Sequence, residues 1–246
     1  MAQTYHPQYA LEVAKNYAHN IPVSMVDSQI ADVVHSWLWC AWPWPWTLAA
    51  LTPIALVDGT QDYANAHTDF LRWHNARLVR TDTTPDQYND LITVSHLEPE
   101  LSEKGGLRNQ KYLSWERPLN VFRLERAASV GSGVTLQIQG EYQKKPTRIT
   151  DANMTSTTVL GFDDHHIGTY IEFLKYYMYK LADDPRAGTV VINKRGDKQY
   201  SGQLGLAYDA LMRMQSLEDM FDDQQFIFPD TPIGHRGYHT DPTGMF

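Results

Sequence analysis

The sequence predicts an α+β fold: a four-helix bundle of two N-terminal and two C-terminal helices, an inserted antiparallel β domain and an extended C-terminal tail. Three observations carry this. Helical periodicity runs through residues 7–41 and returns over 162–223. Between them lie short apolar or alternating runs bounded by turn residues. After Phe226, Pro229, Pro232 and Pro242 alternate with Gly234, Gly237 and Gly244, and no periodicity survives. The expected organisation is residues 1–45 and 160–224 as a discontinuous helical bundle, 46–159 as the inserted β domain, and 225–246 as the tail.

The first helix covers residues 7–19, opened by Pro7, with Ala10, Leu11, Ala14, Tyr17 and Ala18 on one face. Asn20-Ile-Pro22 breaks it, and Ser24-Met-Val-Asp27 has the shape of a capping box for the second. That helix places Ile30, Val33, Val34, Trp37, Leu38 and Ala41 on one stripe. Trp39 points about 200° away from Trp37 and belongs to another face. Past Pro43 and Pro45 the period changes. Leu48 to Val57 is β-prone and ends at the turn Asp58-Gly59, and strands follow at Arg72–Arg80, Leu91–His96, Leu119–Arg126 and Val134–Tyr142. Gly131-Ser-Gly133 predicts a hairpin between the last two.

Helix returns at Phe162, with Asp163 and Asp164 as cap and dipole-matching charge. Ile167, Tyr170, Ile171, Leu174, Tyr177, Met178 and Leu181 form its stripe, and the helix stops at Asp183-Asp-Pro-Arg-Ala-Gly188. Phe173, Tyr176 and Tyr179 lie off that stripe. A helix apolar on more than one side needs cover on more than one side, so these three residues, with Trp39 and Trp44, are candidate subunit-interface residues. The last helix runs from about Ser201 to Asp223.

Composition narrows the function. The chain has 246 residues, is 42% hydrophobic and carries a net charge of -8, with a mean hydropathy of -0.45. No basic run offers a grip on nucleic acid. An acidic surface still suits a passage through which DNA slides without sticking. Five of the seven tryptophans lie between Trp37 and Trp46, but Pro43 and Pro45 interrupt the run, so it does not span a membrane. The opening residues lack a basic start followed by an apolar core, so no secretory signal is expected. The single cysteine, Cys40, fits a reducing compartment.

No candidate chemistry outweighs its structural reading. In Asp163-Asp-His-His166 neighbouring helix positions diverge by about 100°, which favours capping over metal binding. His235 and His239 have helical zinc spacing, but Gly237 and the surrounding prolines argue against a helix. Cys40 sits among tryptophans, where burial raises a thiol's pKa and leaves it inert. Asp183-Asp184 and Asp222-Asp223 sit at helix ends as solvated pairs. No nucleophile elbow, Walker loop or dinucleotide fingerprint occurs. The chain is therefore expected to be no enzyme and to bind no cofactor or metal. Trp42, Trp44 and Trp46 share one face of an extended segment, which could make a sugar-stacking platform, although packing is the commoner role for such spacing. In the tail, Phe226, Ile227, Phe228, Ile233, Tyr238 and Phe246 are apolar residues in an aperiodic segment and suggest docking onto a partner groove.

The order of features resembles the head-to-tail adaptor (connector, or neck) proteins of tailed bacteriophages. The residues that carry the resemblance are Trp42-Pro43-Trp44, Ile54-Ala-Leu-Val-Asp-Gly-Thr-Gln-Asp-Tyr63 leading to Asp69-Phe70, Leu119-Asn-Val-Phe-Arg-Leu124, Tyr142-Gln-Lys-Lys-Pro146, Phe162-Asp-Asp-His-His166, Asp184-Pro-Arg-Ala-Gly188 and Tyr200-Ser-Gly202. Counted from the second helix that runs into Trp42 to the end of the last helix, the order covers roughly residues 24–223. The family's Tyr-x-Leu-Pro before the Asp-Phe pair is replaced here by Tyr63-Ala-Asn-Ala-His67, without the proline. The resemblance implies a structural virion protein, assembled in the host cytoplasm and located in the neck between capsid and tail. It implies a homo-oligomeric ring, dodecameric in form, that docks beneath the portal protein, extends the DNA ejection channel and receives tail or nozzle proteins. The tail segment would reach the portal, passing DNA would be touched without sequence-specific binding, and no membrane would be involved. The tryptophans would be packed where helix passes to strand, with Trp39 or Trp44 open to a neighbouring subunit. The alternatives are a carbohydrate-binding module using the tryptophan face, or another tail or baseplate structural subunit.

Overall fold

The computed structural model describes residues 4–18, 25–94, 112–192 and 198–217. The chain divides into two compact units, Met1–Trp44 with Thr147–Phe246, and Pro45–Pro146. The predicted tail, with Phe226, Ile227, Phe228, Ile233, Tyr238 and Phe246, lies outside the described residues, as do His235 and His239.

The first unit holds helices α1 (Pro7–Tyr17), α2 (Asp27–Ala41), α3 (Ile167–Leu181) and α4 (Gly202–Leu217). Pro7 sits at the start of α1, where a missing N–H costs nothing, and the His6 side chain accepts the Tyr9 N–H as its cap. α2 has Val26 at its N-cap without a side-chain cap bond, and Ser24 of the predicted capping box lies outside the described residues. Asp164 does not cap α3 either; its carboxylate reaches back to accept the Thr4 and Tyr5 N–H groups at 3.0 and 3.3 Å. α3 is the central element, packed against α1, α2 and α4. Its Tyr170 is fully buried, and the hydroxyl donates to the Ala31 carbonyl of α2 at 2.9 Å. Burial, reinforced by the nearby Asp32 charge, holds that phenol well above its ordinary pKa.

Between α3 and α4 lies a two-stranded antiparallel ribbon, β10 (Val190–Ile192) with β11 (Lys198–Tyr200). Gly188 and Gly202 fix its base. Gly188 has φ +83, and a Cβ there would lie 1.9 Å from the Ser201 carbonyl oxygen. The Thr189 N–H donates to Ser201 Oγ at 3.0 Å, and the Ser201 N–H returns to the Thr189 carbonyl at 3.0 Å.

The second unit is two sheets around one core. β1 (Leu48–Ala50), β2 (Ile54–Ala55), β4 (Phe70–Arg80), β5 (Gln87–Asp90) and β9 (Leu136–Lys144) form a five-stranded sheet in the order β1-β9-β4-β5, with β2 also paired to β9. β3 (Asp62–Ala64), β6 (Ile92–Val94), β7 (Tyr112–Glu116) and β8 (Val121–Leu124) form the other, in the order β3-β8-β7-β6. Period-two alternation turns Ala76 and Leu78 of β4 toward Gly140 and Ile138 of β9, and from there into the core. Phe70 sits at its centre, 5.1 Å from Tyr142, 5.0 Å from Phe122 and 4.8 Å from Trp115, ring to ring. Aromatic pairs at such spacings add to area burial.

The predicted fold class needs correction. A four-helix bundle with an inserted antiparallel β domain is not what forms. The described residues make an α+β fold of four helices and eleven strands in three sheets, with strands rather than a bundle organising much of the chain. The helices gather round α3 instead of forming a bundle of four equivalent members. The β10–β11 ribbon belongs to the helical unit, outside any insertion. β6 and β7 pair in parallel. The predicted hairpin at Gly131-Ser-Gly133 is absent: β8 pairs with β3 and β7, whereas β9 pairs with β1, β2 and β4. Turn residues alone cannot choose a strand's partner when several short strands compete for one core.

Candidate functional site

The residues that carry the family resemblance converge on particular structural tasks. In the second unit, Asp58-Gly59 forms the expected turn, with φ +75 at Gly59. The Tyr63 hydroxyl ties that turn down by donating to the Thr60 carbonyl at 3.0 Å and accepting the Val57 N–H at 3.2 Å. Asn120 adopts φ 51, a left-handed conformation that asparagine tolerates, and its amide donates to the Asn65 carbonyl at 3.2 Å. Phe122, Leu124 and Phe70 are fully buried in the shared core.

A directed chain of hydrogen bonds links three separated stretches. The Thr52 N–H donates to His67 Nε2 at 3.3 Å. That leaves His67 Nδ1 as the protonated nitrogen, so Nδ1–H donates to the Tyr142 hydroxyl at 3.1 Å. Tyr142 in turn donates to Asp69 Oδ1 at 2.9 Å. Burial, and then the Asp69 carboxylate, push the Tyr142 phenol up to about 12. The phenol therefore keeps its proton and stays a donor. Asp69 and Tyr142 both stand in the motifs, but their contact joins positions 73 apart and leaves no local signal in the sequence. His67 was visible only as the place where the family's pattern is broken.

In the helical unit, the five candidate interface residues Trp39, Trp44, Phe173, Tyr176 and Tyr179 are all buried within the chain. The Trp44 indole N–H donates to the Leu38 carbonyl at 2.8 Å, turning the chain back as α2 ends. Trp39 meets His35 edge to face at 5.4 Å and lies against Gly161, where φ +72 and the indole leave no room for a Cβ. The Tyr179 hydroxyl donates to the Tyr17 carbonyl at 3.2 Å, and the Arg186 guanidinium lies 4.7 Å from the ring. Because α3 is packed by three other helices, its aromatic surface finds cover inside the chain. Trp42 is buried as well, whereas a sugar-stacking platform needs open ring faces.

His35 is fully buried, and its Nε2–H donates to the Leu160 carbonyl at 3.0 Å. Burial lowers its pKa against the smaller opposing effects of that bond and Asp32. Asp32 itself accepts the Ile149 N–H at 2.7 Å. Asp184 caps the turn after α3 by accepting the Arg186 N–H at 2.8 Å, and the same residue's guanidinium holds its carboxyl down to about 2.

His165 and His166 adjoin at 3.8 Å, ring to ring. Among the described residues no group of three or more His, Cys, Asp or Glu side chains is placed to hold a metal ion. No described helix is long and apolar enough to cross a membrane. A surface concavity lies in the second unit, lined by Leu51, Asn75, Arg77, Asp90, Gln139 and Glu141 among others. Asn75 spends its amide on the Glu141 carboxylate at 2.9 Å across the strands, which gives the wall a structural use. Comparison with known proteins gives no matching family model and no matching curated protein.

Proposed function

We propose that this chain is a structural subunit of a phage neck: a head-to-tail adaptor that assembles as a ring beneath the portal, extends the DNA channel and receives tail components. The observation that carries this reading is the role of the motif residues. Those between Ile54 and Pro146 serve one turn, one loop clamp and one core; Asp184, Gly188, Ser201 and Gly202 serve the helix exits. Motifs that build a scaffold instead of lining a reactive cleft suit a protein whose work is assembly. The net charge of -8 suits a conduit that DNA passes without adhering. The reading assigns no catalytic residue and no cofactor. It rests on the order and placement of the motifs and does not need the four-helix bundle.

The test is size-exclusion chromatography of the purified protein with portal rings from the same phage. Co-elution with the portal supports the reading. Separate elution at every ratio tried overturns it and returns attention to other tail or baseplate roles.

A further inference from the structure

We propose that His67 is a proton-operated latch in the second unit: the neutral ring holds the break between β1 and β2, and the protonated ring releases it without leaving Tyr142.

The break is short of anchors. β1 ends at Ala50 and β2 starts at Ile54. Between them Pro53 has no N–H to give, and Leu51 donates to the Gly140 carbonyl at 2.8 Å. Thr52 is exposed, and its N–H goes to His67 Nε2 at 3.3 Å, a bond that joins positions 15 apart.

A ring nitrogen that accepts a backbone N–H makes the contact conditional on charge. Neutral imidazole has one acceptor nitrogen, whereas imidazolium has none and carries N–H on both. Protonated His67 therefore turns Nε2–H toward the Thr52 N–H, donor against donor, and the bond is lost. The other side of the ring does not change. Nδ1 carries its proton in both states and donates to the Tyr142 hydroxyl at 3.1 Å, while Tyr142 keeps its own proton for Asp69 at 2.9 Å. One bond of the ring is indifferent to pH and the other is switched by it.

Among the described residues, three elements bring titratable or charged groups to this contact. The loop itself supplies Asp69, and β9 supplies Tyr142, whose ring lies 4.8 Å from that of His67. The segment after β9 supplies Lys145, whose ammonium donates to the Thr68 carbonyl at 3.2 Å. Residues 51–53 supply none. Of these residue types, histidine is the one whose charge ordinarily changes between about pH 5 and 8. Release alters what the break borders. Leu51 and Pro53 line the concavity that Asn75, Arg77, Asp90 and Glu141 wall with polar groups, so acid loosens its apolar side while β1 and β2 stay paired with β9.

His6 also accepts a backbone N–H, from Tyr9 at 3.1 Å, so bulk stability would mix two histidines and the readout has to be residue by residue. The full chain, isotope-labelled, is titrated by NMR from about pH 8 to 5, following the Thr52 amide and the His67 ring. The expected result is an upfield shift of the Thr52 amide with the same midpoint as the ring. Its exchange protection, corrected for the intrinsic effect of pH, should fall about fivefold, the contribution of one hydrogen bond. His67→Gln offers an oxygen to Thr52 and an N–H to Tyr142 at every pH. In that variant, shown to be folded by its melting, the Thr52 amide should stay protected and stationary. The titration of the natural chain stands without the variant. A Thr52 amide that ignores the ring's titration, a ring that does not titrate while the chain stays folded, or the same acid loss in His67→Gln overturns the latch.

Discussion

The hydroxyl of Tyr142 donates to Asp69 Oδ1 at 2.9 Å while receiving the His67 Nδ1–H at 3.1 Å, so one phenol on β9 holds both sides of the loop that leads into β4. The loop also carries the Lys145 N–H on the Asp69 carbonyl at 2.6 Å. Tyr142→Phe keeps the stacked ring against Phe70 and removes only the oxygen. The change leaves a donor and an acceptor without their partner and should cost about 1–3 kcal/mol. Thermal unfolding reads this as a drop of roughly 2–4 °C per kcal/mol for a chain of this size. An unchanged melting temperature would show that the relay bears no load.

The same residue sets an alkaline limit. An ordinary tyrosine in the unfolded chain titrates near pH ~10, and Tyr142 in the fold titrates at about 12. The protonated form is the one favoured by folding, so its stabilisation is complete below pH ~10 and lost as pH rises toward ~12. Denaturant midpoints measured from pH 9 to 12 should fall more steeply for the natural chain than for Tyr142→Phe.

His35 acts in the opposite range. Its folded pKa lies below the ordinary value of 6.5 because burial disfavours the imidazolium. The unfolded chain therefore binds the proton more readily. This contribution is fully present above pH ~6.5 and declines as pH falls through and below it. In His35→Gln the slope of stability between pH 6.5 and 5 should flatten. An identical slope would mean that some other group controls acid stability.

Trp44 is fully buried and spends its indole N–H on Leu38. Trp44→Ala should cost about 3–5 kcal/mol and show as lowered stability of the free subunit. A variant as stable as the natural chain, but defective in association, would instead return Trp44 to the subunit interface.

Gly188→Ala strikes the base of the ribbon. The added methyl meets the Ser201 carbonyl at 1.9 Å and φ is +83, so relaxation must move backbone. The cost should be about 1–3 kcal/mol. Hydrogen exchange should rise first at Thr189 and Ser201, whose N–H groups close that contact.

Periodicity made the longer elements legible. The stripes of residues 7–19 and 162–181 lead to α1 and α3, and the apolar run Arg72–Arg80 leads to β4, which begins at Phe70. Two- and three-residue strands such as β2, β3 and β10 carry no period of their own, since they exist through their partners. The β-prone Leu48–Val57 run breaks at 51–53, and both pieces pair with β9. The covering of Phe173, Tyr176 and Tyr179 depends on α3 being surrounded, a fact of packing that no single helix pattern contains. The relay of Thr52, His67, Asp69 and Tyr142 was equally hidden, because residues that meet only after β4 and β9 pair leave no local spacing to read.

The central claim is that this chain works by assembling on a portal, and mass photometry tests it most directly. The protein is weighed alone and after mixing with portal rings. The account predicts that the portal peak gains mass equal to about one copy of this chain per portal subunit, as a closed symmetric ring requires. A portal peak of unchanged mass beside a persistent population of free subunits would contradict it.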